Sequence, residues 1–225
     1  MQLQTKLSRI LTSAQAQFIV PGFADTKMHD IAQAADLAVG TLYNLFKSKD
    51  DLLAFIFAAT LNPTIIDEPH TLPLQPIATS ALVEQTQAVY QHETQRLVTR
   101  IQAAPADDQF TTLVTELFAT FEQFGAYFLI LERNPQMNPT LMTLYRHYRQ
   151  NMYHTIAQII SHLSATQQLR PLAEPQNDAL IIIDEIFWWS AHKKYDSFER
   201  QATTFDFQQV KAAVIQQLVT SYQQH

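Results

Sequence analysis

Apolar residues recur at helical spacing from the start of the chain. Leu3, Leu7, Ile10, Leu11, Ala14 and Phe18 draw one stripe along a first helix, because positions three and four apart share a face. Pro21-Gly22 ends it, and a glycine there can take the left-handed conformation that closes a last turn. Thr26 is expected to cap a second helix through its hydroxyl, with Met28, Ile31, Ala32 and Ala35 as the inner face. The short turn Asp36-Leu37-Ala38 leads to a third helix with Leu42 and Phe46 inward. Ser48 then caps a fourth, "KDDLLAFIFAATL", whose first turn carries two acids where the helix dipole favours them.

The segment "NPTIIDEPHTLPLQP" interrupts this rhythm. Pro63, Pro69, Pro73 and Pro76 remove backbone donors and clash with a preceding turn, which predicts a loop over 62–76. Helical patterning resumes over 77–104 and restarts after Pro105-Ala106-Asp107. Gly125 is expected to break "FTTLVTELFATFEQF" from a short apolar helix, "AYFLILERN", itself stopped by Pro135 and Pro139. A long helix over 140–164, a nearly all-apolar one over 177–193 and a last one from Phe205 to Gln223 complete the pattern. Few segments alternate cleanly, so the expected class is all-α.

Composition narrows the chemistry. With 47% hydrophobic and 16% charged residues, the 225-residue chain has material for a sizeable core. Three glycines leave little for glycine-rich phosphate loops. The absence of cysteine excludes disulfides and thiolate sites and is compatible with a cytoplasmic location. The first residues lack a signal-peptide core, and no apolar run approaches the roughly 18 residues needed to span a bilayer. The net charge of −6 is uneven: residues 1–60 hold five bases and five acids, residues 61–225 the other ten bases and sixteen acids. If this acidic chain binds nucleic acid, the near-neutral N-terminal part is the place for it.

That part has three short helices with a four-residue break before the third, the helix-turn-helix pattern. Ala32 is small enough for a close helix crossing, and Asp36 tolerates positive φ better than most residues. Thr41, Tyr43 and Asn44 offer short or rigid donors for phosphates and base edges, and Gly40 clears space for an approaching backbone. The stretch "GFADTKMHDIAQAADLAVGTLYNLFKSKDDLL" resembles the DNA-binding region of the TetR family of transcriptional regulators. Gly22, Phe23, Thr26, Ile31, Ala32, Ala35, Gly40, Thr41, Leu42, Tyr43, Phe46, Ser48, Lys49, Leu52 and Leu53 fall on that family's pattern, and the likeness covers about residues 5–55. Three positions depart from it. Asp36 replaces the turn glycine, Leu45 stands where histidine is common, and Ala38 replaces a capping serine, a loss of about 1 kcal/mol. Inside this pattern the resemblance implies a phosphate contact for Lys49, with Thr26, Lys27 and Lys47 as further phosphate candidates.

The resemblance also implies an N-terminal helix-turn-helix domain over 1–48 and a C-terminal helical ligand-binding and dimerisation domain over 49–225. Aromatic residues crowd the middle of the latter. Phe118, Phe121, Tyr127, Phe128, Tyr145, Tyr148 and Trp188 are the expected ligand-binding set, with Glu116, Arg146, His147 and His154 as polar candidates. His147 and His154 lie seven apart, which does not suit a single metal ion, and no cofactor or metal is expected. Ile183 and Phe187, with Val210, Val214 and Leu218 on the last helix, are the expected dimer interface. Asp184 and Glu185 sit within the apolar run and fit a cavity lining, a dimer pair or an exposed strip.

The expected function is a ligand-responsive regulator, a repressor released from its operator by a small-molecule effector. Its expected partners are a palindromic double-stranded DNA operator, an apolar or aromatic effector and a second copy of the chain, with no membrane. The alternative is a helical small-molecule-binding protein with little specific DNA affinity, which the altered turn and missing cap keep open. An enzyme is not expected, since no nucleophile–base pair or phosphate loop is present.

Overall fold

A computed structural model of the chain describes residues 2–195 and 206–223. Its regular elements are helices: α1 Leu3–Gln17, α2 Met28–Ala34, α3 Val39–Leu45, α4 Lys49–Leu61, α5 Thr79–Ala103, α6 Gln109–Arg133, α7 Pro139–Ala165, α8 Pro175–Phe187, α9 Lys193–Tyr195 and α10 Phe207–Tyr222. The expected all-α class holds. The expected start of the last helix at Phe205 lies outside the described residues.

The chain forms two compact units, Met1–Val89 with Ala126–Met142, and Tyr90–Gly125 with Thr143–His225. The first unit therefore holds more than residues 1–48. Its α4 is buried almost all round, from Leu52 to Leu61, so it lies in the core of this unit, with α1 packed against it. Ser48 caps α4 as expected, accepting the Asp51 N–H at 3.0 Å. The helix stops at Leu61 because Pro63 follows. Asn62 then caps a single 3-10 turn, Pro63–Ile66, through its side chain.

Gly125 does not interrupt α6, which runs unbroken from Gln109 to Arg133. A lone glycine lowers helix stability without ending a helix, and here its role is tertiary. A Cβ at this position would lie 2.6 Å from the Cβ of Ala191. Ala191 sits in a five-residue π turn, Trp188–His192, that extends α8. Gly125→Ala would gain about 1 kcal/mol of helix propensity against an overpacking cost of about 1–3 kcal/mol. A net loss of about 1 kcal/mol is expected in denaturant titration, with recovery when Ala191→Gly is added. A Gly125→Ala chain more stable than wild type would reject the close packing.

Candidate nucleic-acid interface

In the first unit, α2 buries Met28, Ile31 and Ala32. It ends in a tight C-cap: the Asp36 N–H donates to Gln33 O at 3.0 Å and the Leu37 N–H to Ala32 O at 2.9 Å. This bond pair needs a left-handed residue between helix and exit, and Asp36 supplies it at φ +52°. The strain an aspartate carries there is partly offset by Arg9, whose guanidinium donates to the Asp36 carboxylate at 2.8 Å. Leu37 is half-buried and Ala38 opens α3 with no side-chain cap.

The short α3 turns Leu42 and Leu45 inward. Its other face is open: Gly40 has nothing within 4 Å of where a Cβ would be, Tyr43 is 54% exposed, and Asn44 is exposed with Thr41 half-exposed beside it. Lys27 and Lys47 are exposed in the same unit. Val39, in the first turn of α3, is an apolar residue that the fold leaves exposed on the same helix.

Two expected contacts turn inward instead. Thr26 is neither cap nor open phosphate ligand. It is buried, its hydroxyl faces Gln17 O at 2.9 Å and Gly22 O at 2.7 Å as donor, and its N–H is taken by Gly22 O. The N-cap is Lys27, whose own N–H donates to the Asp30 carboxylate at 3.0 Å. Lys49 likewise points into the fold. Its ammonium donates to Phe23 O at 2.5 Å and Thr26 O at 2.8 Å, with Ala24 O at 3.4 Å, and lies 4.3 Å from the centre of the Phe23 ring. These carbonyls belong to the turn between α1 and α2, where no helix satisfies them.

The same turn is held from α6. The Asn134 side chain donates to Phe18 O at 2.9 Å and accepts the Phe23 N–H at 2.8 Å. It also donates to Ile130 O, so the end of α6 is stapled to the exit of α1. No sequence pattern marks such a residue.

The expected ligand aromatics divide between the units. Tyr127 and Phe128 are buried in the first, where Tyr127 shares a hydrogen bond with Thr86 and packs on Phe57 at 4.6 Å. Phe118, Phe121, Tyr145 and Tyr148 are buried in the second. Trp188 departs from them: it is exposed and stacks on His192. Cations near the second unit's expected aromatics include Lys211, over Phe118 at 5.3 Å, and Arg149, whose place in "LYRHYRQNMYH" gives no sign of this role. For Arg149 the contacts are several. Its guanidinium sits 5.0 Å from the Phe187 ring and 5.8 Å from Phe121, and donates to Asp184 at 2.9 Å and to Tyr153. Burial pushes the Tyr153 hydroxyl up to about 12, so it stays protonated and donates to Asp184.

Of the polar candidates, Glu116 is bound in a network. Arg96 bridges it to Glu93. Burial works against the Arg96 charge, yet its hydrogen bonds to the two carboxylates raise its pKa above the ordinary value. Arg146, His147 and His154 are exposed. A cavity of about 330 Å³ in the second unit is lined by Val98, Ile101, Gln102, Gln109, Thr155 and Gln158 among others, and by none of the expected aromatics. Among the described residues, no three His, Asp or Glu side chains converge as a metal site, and no helix is long and apolar enough to cross a membrane.

The expected dimer residues differ in how far the chain itself covers them. Ile183, Phe187, Val214 and Leu218 are buried within the chain itself and Val210 is half-buried. The apolar side chains that α8 and its π turn leave outward are Leu180, Ile181 and Trp188.

A short third helix with its outer face open to solvent, behind a tight turn from the second, is the geometry of a helix-turn-helix DNA-binding motif. Residues 10–56 match the sequence model of the tetR family of bacterial regulatory proteins. Solved structures extend the fold likeness to the whole chain. The ketosteroid transcriptional regulator KstR2 of Mycobacterium tuberculosis aligns at TM-score 0.61 and 16% identity, covering 100% of this chain and 98% of its own. AibR, solved in complex with isovaleryl coenzyme A and operator DNA, aligns at TM-score 0.52 and 14% identity, covering 95% and 98%. No curated protein matches the sequence.

Proposed function

We propose that this chain is a homodimeric repressor that holds a palindromic operator and leaves it when a small-molecule effector binds. The observation that carries the reading is the outward face of α3, where Gly40, Thr41, Tyr43 and Asn44 stand clear of the fold. Two such helices on a two-fold axis would enter successive major grooves about 34 Å apart. Lys27 and Lys47 supply the phosphate contacts. AibR shows that a fold of this kind carries both operator DNA and an effector in one protein.

Dimerisation is assigned to Leu180, Ile181 and Trp188, and the effector seat to the second unit. There the aromatic group around Phe121 carries the cation of Arg149, which is tied to Asp184. Release requires an effector that binds better to the form whose recognition helices do not fit the operator. The Asn134 staple gives movement of α6 a direct route to the turn between α1 and α2. The uncapped start of α3 favours a second reading, an effector-binding protein with little specific DNA affinity.

The test is enrichment of duplexes from a randomised library on the full-length chain. A palindromic sequence should emerge, and binding should weaken steeply with salt as phosphate contacts release counterions. Thr41→Ala with Tyr43→Ala should reduce affinity for that duplex about a hundredfold, two base- or phosphate-directed contacts at typical strength. No enriched sequence from well-folded dimer would leave the second reading standing.

A further inference from the structure

We infer that the proline-rich segment after α4 is a brace that sets the pose of the recognition helix, with Leu74 as its positioning residue. The inference rests on the DNA-binding reading for its functional consequence, though not for its structural one.

A helix of seven residues has little stability of its own, because nucleation consumes most of what its few hydrogen bonds return. α3 is such a helix, and its N-terminal end lacks a side-chain cap at Ala38. Its C-terminal end is where the compensation lies. Phe46 leaves the helix in extended conformation, so the last carbonyls of α3 need partners from elsewhere. The partner for Leu45 O is the backbone N–H of Leu74, at 2.9 Å. This bond spans nearly thirty residues of chain and ends on a leucine that is 6% exposed, unlike its exposed neighbours Leu72 and Gln75.

A second grip lies beside it. His70 faces Ile65 O through Nε2 at 2.7 Å and sets its ring edge-on to Phe55 at 6.3 Å. Phe55 in turn packs on Phe46 at 5.4 Å, the residue that ends α3. The segment thus holds the exit of the recognition helix directly at Leu45, through its carbonyl, and indirectly at Phe46, through the Phe55 ring of α4 on which His70 rests. Prolines at 63, 69, 73 and 76 suit a brace, since they reduce the conformations the free segment could occupy. A passive insertion would need neither the buried leucine nor the hydrogen bond.

Three substitutions separate the contributions. Leu74→Ala removes the buried side chain and keeps the N–H, Leu74→Pro removes the N–H and keeps an apolar side chain, and Leu74→Met keeps both. Hydrogen exchange on the full chain should show amides of residues 41–46 exchanging about fivefold faster or more in Leu74→Ala and Leu74→Pro, with α8 and α10 unchanged and Leu74→Met like wild type. Affinity for the duplex enriched by the wild-type chain should fall about fivefold or more in the first two and be retained in the third. Its salt dependence should not change, because Leu74 touches no phosphate. Unchanged protection of residues 41–46 in both folded variants, or acceleration spread evenly over all helices, would overturn the brace. If the wild-type chain enriches no duplex, the DNA-binding reading fails, and the exchange measurement still decides the brace.

Discussion

A chain carrying Ile181→Asp and Trp188→Asp should sediment as a monomer at concentrations where the wild type is dimeric. Ile181 is 59% exposed and Trp188 45%, and with Asp184 between them they lie at helical spacing along α8 and its π turn. A two-fold interface brings each substituted side chain against the same patch on the partner, so two new carboxylates per chain become four in one contact. Losing a tryptophan anchor alone typically costs 2 kcal/mol or more, about thirtyfold in affinity. With charge repulsion added, the affinity of one chain for another should fall by roughly a thousandfold. Charging the stripe on α10 should do something different. Val214 and Leu218 are buried inside the chain, so Val214→Glu with Leu218→Lys should unfold the second unit rather than release a folded monomer. Sedimentation velocity with circular dichroism separates the outcomes. A wild-type monomer at micromolar concentration, or an undiminished Ile181/Trp188 variant dimer, would reject this face as the interface.

The contrast between those two pairs shows what the sequence carries and what it withholds. A stripe at helical spacing states which side chains leave water. It does not state whether the covering surface belongs to the same chain or to another. Val214 and Leu218 were legible as buried, and only the fold shows that the chain itself buries them. Local chemistry read well where one residue decides the backbone: the positive φ of Asp36, the cap at Ser48, the stop of α4 at Leu61 before Pro63. It failed where the decisive partner is distant. Gly125 reads as a helix breaker until Ala191 is known to press against it. Thr26 reads as a cap because the hydroxyl that caps a helix also serves two carbonyls behind it. Leu74 reads as one more residue of a proline-rich loop, since a hydrogen bond to Leu45 leaves no trace in spacing or composition. The open face of α3 was legible almost residue by residue, because a short helix with two inward leucines leaves little choice about what faces out.

Lys49 is the sharpest case, since two roles for one ammonium predict opposite measurements. As a phosphate ligand, Lys49→Met would leave the free protein's stability alone and reduce the slope of log affinity against log salt by about 0.9 for each phosphate no longer neutralised. The structure instead places the ammonium among Phe23 O, Ala24 O and Thr26 O, over the Phe23 ring. A charged donor to a carbonyl contributes about 1.5–3 kcal/mol where it is well shielded. Lys49 is only half-buried, so screening lowers the sum and about 2–3 kcal/mol in total is expected. Lys49→Met keeps the aliphatic stem beside Phe23 and removes the charge, so the loss should fall on the turn between α1 and α2. Thermal unfolding of the free protein should move down by several degrees. DNA affinity should fall with it, because α2 and α3 are built on that turn, while the salt slope stays as in wild type. Lys27→Ala provides the reference for a true phosphate contact: stability unchanged, slope reduced. A Lys49→Met chain that melts like wild type and loses salt slope would return Lys49 to the phosphate backbone and remove the clamp.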